Sequence, residues 1–179
     1  MSAILPPADR LWSKQPLDMC EGSWILLAFI WCMIMTATMV GWHVYGKQNL
    51  ANETYKISAD AYAAKVQAMV DKYTVRKETD KEIPVVHPPV GGDVYMLARL
   101  WEWWPILELE KGKTYKLHLS SLDWLHGFSL QPVNFNIEVV PGYEHVIHMT
   151  PTSSGTFSLF CNEYCGIGHA NMAGRIYVK

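Results

Sequence analysis

The chain has 179 residues, enough for one globular domain with additions, and a formal net charge of −2. That balance excludes a general nucleic-acid binder, which would carry a strongly basic surface. Apolar residues make up 50% of the chain, with eight Trp, nine Tyr and nine Met, and they are unevenly spread.

Residues 1–21 read as a short polar arm with Pro6, Pro7 and Pro16. Residues 22–45 read as a transmembrane anchor. Within them "WILLAFIWCMIMTATMVGWHVY", Trp24 to Tyr45, has 22 residues and no Asp, Glu, Lys or Arg. At helical rise it spans roughly 33 Å, enough to cross a hydrocarbon layer of about 30 Å. Its eight Ile, Leu, Phe and Val residues favour insertion by roughly 2.4–4.8 kcal/mol in total. Trp24, Trp42 and Tyr45 stand at the ends, where amphipathic rings prefer the interface. A cleaved leader would have a shorter apolar stretch and small residues at the cut, so a retained single-pass anchor is expected. Arg10 and Lys14 before the helix balance Lys47, Lys56 and Lys65 after it, so charge alone does not orient it.

Residues 46–92 read as a helix and a linker. Tyr55, Ala59, Tyr62, Val66, Met69, Val70 and Tyr73 recur at helical spacing, which predicts an amphipathic helix lying on a partner or on the membrane surface. "RKETDKEIPVVHPPVGG", residues 76–92, is charged and then rich in Pro and Gly, the composition of a linker. From residue 93 to 179 short β-type runs alternate with the turns "KGK", "PGY" and "PTSSG". Without intervening helices they predict a small all-β sandwich or barrel.

Near the end stands "CNEYCGIGHANM", with Cys161, Cys165, His169 and Met172 in the spacing C-x3-C-x3-H-x2-M. Gly166 and Gly168 argue for a loop that wraps closely around something rather than a helix. His126, in "LDWLHGF", lies 35 residues before Cys161, between β runs, where a loop at the same end of a sandwich could reach it. A Cys161–Cys165 disulfide would leave His169 and Met172 unexplained. Structural zinc has little use for Met. Copper takes thiolate, imidazole and thioether together. One blue-type copper needs two His, one Cys and a weak Met, which His126, Cys165, His169 and Met172 already supply. Cys161 is then the surplus ligand. A second thiolate can bridge a second copper, so that two ions share two sulfurs and one odd electron.

Those residues, with "HGFSL", "NFNIEVVPG" and "GTFSLFCNEYCGIGHANM", resemble the copper A segment of cytochrome c oxidase subunit II, in the haem-copper oxidase superfamily. The resemblance implies a mainly β, cupredoxin-like Greek-key barrel or sandwich with one N-terminal transmembrane helix. It implies binuclear copper A bridged by Cys161 and Cys165. His126 and Met172 would complete one copper; His169 and the backbone carbonyl of Glu163 would complete the other. The Glu163 side chain has two readings: a ligand reaching magnesium at the interface with the catalytic subunit, as in many relatives, or a solvated loop carboxylate.

The implied function is to accept electrons from a soluble c-type cytochrome or small copper protein. They would pass to haem in subunit I, where oxygen is reduced, so the oxygen-reducing site is not on this chain. Further membrane subunits are implied, in a bacterial or archaeal-type cell membrane, with the copper domain on the periplasmic side. "LWEWW" resembles the aromatic segment that receives electrons from the donor, with Trp101 favoured over Trp103. The alternatives are the copper A subunit of a nitric oxide reductase and a stand-alone membrane-anchored cupredoxin with one copper. Many relatives have two membrane helices; the single candidate here resembles the B-type oxidases. His87, His118, His145 and His148 read as surface or supporting residues, and His43, at the membrane exit, as an interfacial one.

Overall fold

The computed structural model describes residues 16–46, 53–78, 82–133 and 135–179. Most of the expected polar arm, residues 1–15, lies outside them, as do residues 47–52 and 79–81 of the expected helix and linker.

Helix α1 runs Met19–Tyr45, 27 residues. It starts ahead of the expected boundary at 22 because Asp18 and Glu21 cap it reciprocally. The Asp18 side chain accepts from Glu21 N–H at 2.7 Å, and the Glu21 carboxylate accepts from Asp18 N–H at 3.4 Å. None of its residues is buried within the chain. In water that exposure of Ile, Leu, Phe and Trp would be a liability; in a bilayer it is the expected state.

The second unit is a sandwich of two sheets. After β1 (Glu53–Lys56) come α2 (Ala59–Tyr73), β2 (Thr74–Glu78) and β3 (Ile83–Val86). Then follow β4 (Asp93–Arg99), β5 (Glu102–Trp104), β6 (Ile106–Leu109), β7 (Tyr115–Ser121) and β8 (His126–Gln131). The last are β9 (Phe135–Val139), β10 (Tyr143–Met149), β11 (Gly155–Cys161) and β12 (Ala173–Val178). One sheet has the order β1-β10-β7-β4-β5 and the other β2-β3-β6-β12-β11-β8-β9. Leu117 and Leu119 from the first sheet and Phe128, Leu159 and Ile176 from the second share the core between them.

Residues 53–92 differ from their linker-like composition: they supply three strands and a helix to this same body. On α2 the expected apolar stripe is real, but it covers the chain's own sheet. Tyr62, Val66, Met69 and Val70 are buried, and the Tyr62 hydroxyl reaches the carbonyls of Met96 and His118 at 2.9 and 2.8 Å on neighbouring β4 and β7. The helix begins at Ala59, four residues after Tyr55, because Ser58 caps it by accepting from Ala61 N–H. Arg76, the first charge of the linker-like segment, is a partner of a buried acid. Arg76 on β2 bonds Glu108 at 2.6 Å, and Lys179 bonds the same carboxylate at 2.5 Å. Burial pushes the Glu108 carboxyl up, but those two cations outweigh it and hold it below its ordinary range.

Candidate metal centre

The sandwich brings together, at one end, residues that are distant in sequence. β8 and β11 are antiparallel neighbours with Cys161 opposite Phe128. His126, two residues before Phe128, therefore lies on the same face as Cys161. It is the first residue of β8, paired with Val139 of β9, rather than in a loop between strands. Residues 162–172 leave β11, turn through a short 3-10 helix at His169–Asn171, and rejoin the sheet at β12. The loop is closed by Cys161 N–H donating to the Met172 carbonyl at 3.1 Å.

The donor atoms converge. Cys161 Sγ and Cys165 Sγ are 3.7 Å apart, far beyond the roughly 2.05 Å of a disulfide, and both cysteines are free. His126 Nδ1 lies 3.8 Å from Cys161 Sγ, and His169 Nδ1 lies 3.7 Å from Cys165 Sγ. Met172 Sδ lies 3.8 Å from Cys165 Sγ, and the Glu163 carbonyl accepts from Cys161 Sγ–H at 3.2 Å. A metal ion bonds thiolate at about 2.3 Å, so one ion can touch two sulfurs at this separation. The ligand atoms of His126, Cys161 and Cys165 all lie within 4.8 Å of one another. Cys165 and His126 are fully buried. Burial and the adjacent Cys161 push the Cys165 thiol up to about 12. Cys165 therefore holds its thiol proton at neutral pH, and a cation bound there must displace it. Soft sulfur and imidazole nitrogen together are a donor set that fits copper.

Around this cluster the aromatic segment divides. Trp101 is 38% exposed, and its indole N–H donates to the Cys165 carbonyl at 2.9 Å. Trp103 is 2% exposed, packed edge-on against Phe128 with ring centroids 5.5 Å apart. Gly166 and Gly168 let the loop wrap around the Trp101 ring: a Cβ at 168 would overlap its Cγ, Cδ2 and Cε3. The outer rim carries exposed Tyr164, Ile167 and Trp124. Glu163 lines a cleft of about 220 Å³ together with Asn136, Glu138 and Asn162.

Three of the other histidines bond elsewhere. His118 Nδ1 contacts Glu144 at 2.5 Å, His145 Nδ1 contacts Thr54, and His87 Nδ1 contacts the Glu108 carbonyl. Sequence reasoning passed over Asp123, three residues before His126, whose Oδ1 accepts from His126 Nε2–H at 2.8 Å. The available signal was a carboxylate at D-x-x-H spacing ahead of a candidate ligand. Burial raises the Asp123 carboxyl, but the His126, Trp124 and Leu100 N–H donors outweigh that and hold it below its ordinary range.

The model of the cytochrome c oxidase subunit II periplasmic domain matches residues 101–178. A cytochrome c oxidase subunit 2 of Thermus thermophilus is 37% identical over 115 residues, covering 62% of this chain and 85% of that protein. Among solved structures, a chain of a heme-copper terminal oxidase dimer superposes with a TM-score of 0.54 at 19% identity, covering 89% of this chain and 99% of that one. A rusticyanin variant gives 0.50 at 20% identity, covering 73% and 100%. These two likenesses show the fold, a cupredoxin-like two-sheet sandwich joined in sequence to a long N-terminal apolar helix. On identity over most of its relative's length, the chain belongs to the cytochrome c oxidase subunit II family.

Proposed function

We propose that this chain is the electron-accepting subunit of a membrane-bound haem-copper terminal oxidase and that it holds binuclear copper A. The observation that carries the reading is the second thiol: Cys161 Sγ stands 3.7 Å from Cys165 Sγ, and each thiol has its own imidazole nitrogen within 3.8 Å. A single blue-type copper uses two imidazoles and one thiolate, so it has no use for that second thiol. The thiols of Cys161 and Cys165 would hold both ions, with His126 and Met172 serving one and His169 and the Glu163 carbonyl the other. Bound there, the pair supplies one-electron storage with the bond-length change spread over two ions.

The protein's own residues do the rest. Buried Cys165, His126 and Met172 keep water from the soft donors. Trp101, exposed on one side and bonded to the Cys165 carbonyl on the other, offers a soluble c-type cytochrome or small copper protein a flat apolar contact next to the site. Buried Trp103 has no such outward face and serves as packing. Electrons would then pass to haem in subunit I. The α1 helix would anchor the chain in the cell membrane with the sandwich on the periplasmic side. The cleft beside Glu163 is lined with carboxylate and amide side chains, a setting that supports magnesium, a cation that takes oxygen ligands.

Cys161→Ser is expected to abolish the shared-valence spin-resonance signal and leave at most one copper. An unchanged spectrum would remove Cys161 from the ligand set. Oxygen uptake by the purified complex with reduced donor tests the reaction; consumption of nitric oxide in place of oxygen would assign the chain to a nitric oxide reductase.

A further inference from the structure

Asp123 makes more bonds than a surface turn requires. It stands between β7 and β8, with a side chain 24% exposed. Its Oδ1 accepts from His126 Nε2–H at 2.8 Å and from Trp124 N–H at 2.6 Å. Its Oδ2 accepts from Leu100 N–H at 2.7 Å. The turn is braced from below: the Ser121 hydroxyl accepts from Asp123 N–H at 3.2 Å and donates to the Trp124 carbonyl at 2.6 Å.

Two consequences follow from the donor and acceptor inventory. A neutral imidazole carries one N–H, and a carboxylate can only accept. With the proton drawn to Nε2, His126 Nδ1 is left with a lone pair facing the thiols, 3.8 Å from Cys161 Sγ. The other tautomer would set a lone pair against the carboxylate and a proton towards the sulfur. Because the ring is fully buried, no water stands by to repair that mismatch. The second oxygen holds Leu100, the residue before Trp101, whose indole donates to the Cys165 carbonyl at 2.9 Å. One carboxylate therefore ties an imidazole from one sheet to the aromatic segment of the other.

We propose that Asp123 is a positioning residue. It fixes His126 as the tautomer with a free Nδ1 lone pair towards the thiols, and through Leu100 it seats Trp101 against the Cys165 carbonyl. The tautomer claim concerns the metal-free chain; its consequence for copper rests on the copper reading above.

The test uses the full chain in detergent micelles, reduced and metal-free, with 15N-labelled histidine. In the native chain His126 should show an unprotonated Nδ1 and a protonated, slowly exchanging Nε2. Asp123→Asn keeps the shape but offers one acceptor oxygen to donors on two sides, and its amide N–H meets another N–H. It should give mixed tautomers and rapid Nε2–H exchange, as should Asp123→Ala if that variant folds. Loaded with copper, Asp123→Asn should lose the metal to a chelator with an affinity about 10–100-fold weaker. Tyr62→Phe, remote from the site, serves as the structural control: it should lower Tm and leave the His126 resonances in place.

If Asp123→Asn lowers Tm while His126 keeps its native tautomer and exchange rate, Asp123 is only a turn brace and the proposal fails. Native chain that binds no copper yet shows the expected tautomer change removes the copper reading and leaves the positioning role standing. Two coppers bound with no tautomer change does the reverse.

Discussion

Gly168→Ala is a one-carbon perturbation that probes how the copper loop and Trp101 are fitted together. The added Cβ would overlap Cγ, Cδ2 and Cε3 of the indole. Those atoms are the fixed base of the ring, so either the indole swings out or the loop lifts. Overpacking of this kind costs about 1–3 kcal/mol. Losing the Trp101 Nε1–H bond to the Cys165 carbonyl, 2.9 Å long, adds about 0.5–1.5 kcal/mol. Together they give about 1.5–4.5 kcal/mol. For a unit of this size about 3 °C of Tm corresponds to 1 kcal/mol, so Tm should fall by about 5–14 °C. The assay is thermal unfolding of the full chain by near-ultraviolet circular dichroism, run as a double-mutant cycle with Trp101→Ala. In the Trp101→Ala background the glycine substitution should cost little, because the ring it collides with is gone. An equal cost in both backgrounds, or no cost in the native chain, would refute the fit described here.

Other expectations follow from the packing. Tyr62→Phe removes the hydroxyl shared by the Met96 and His118 carbonyls and should cost about 1–2 kcal/mol in denaturant unfolding; no change would mean that α2 is not fixed by this bond. A soluble fragment beginning near residue 53 should fold, whereas one beginning near residue 90 should not. The shorter piece lacks buried Tyr62, Val66, Met69, Val70, Val85 and Val86, each contributing about 1.5–3 kcal/mol, against a whole-domain stability of about 5–15 kcal/mol. A dispersed amide spectrum from the shorter fragment would contradict this. Glu108 gives a pH signature. Its folded carboxyl is depressed by Lys179 and Arg76, so its contribution is present above the unfolded value of about 4.3 and is lost as pH falls through the lower folded value. The stability gap between the native chain and Glu108→Gln should therefore narrow with acid below about pH 4; a gap independent of pH would exclude the ion pairs.

The chemistry was easier to read from the chain than the architecture. His126, Cys161, Cys165, His169 and Met172 declared themselves because soft donors at close spacing have few other uses, and the structure brings all five together. The apolar length of α1 was equally plain, since Trp24 to Tyr45 runs without Asp, Glu, Lys or Arg. Residues 74–86 were illegible for a physical reason. Arg76 and Glu78 look solvated until Glu108 and Tyr177 are known to bond them across the sheet, and local composition carries no trace of those partners. Gly166 and Gly168 permit a close wrap, as their lack of a Cβ predicts, and what the loop wraps is the Trp101 indole. Asp123 was missed because its meaning depends on the ring orientation of His126 and the position of Leu100, neither of which is encoded nearby.

The decisive measurement is copper stoichiometry with electron spin resonance on the full chain. Two coppers per chain, and one unpaired electron split by both nuclei, are the expected result. One copper with a blue-type spectrum would contradict the binuclear centre and return Cys161 to the role of a spare thiol.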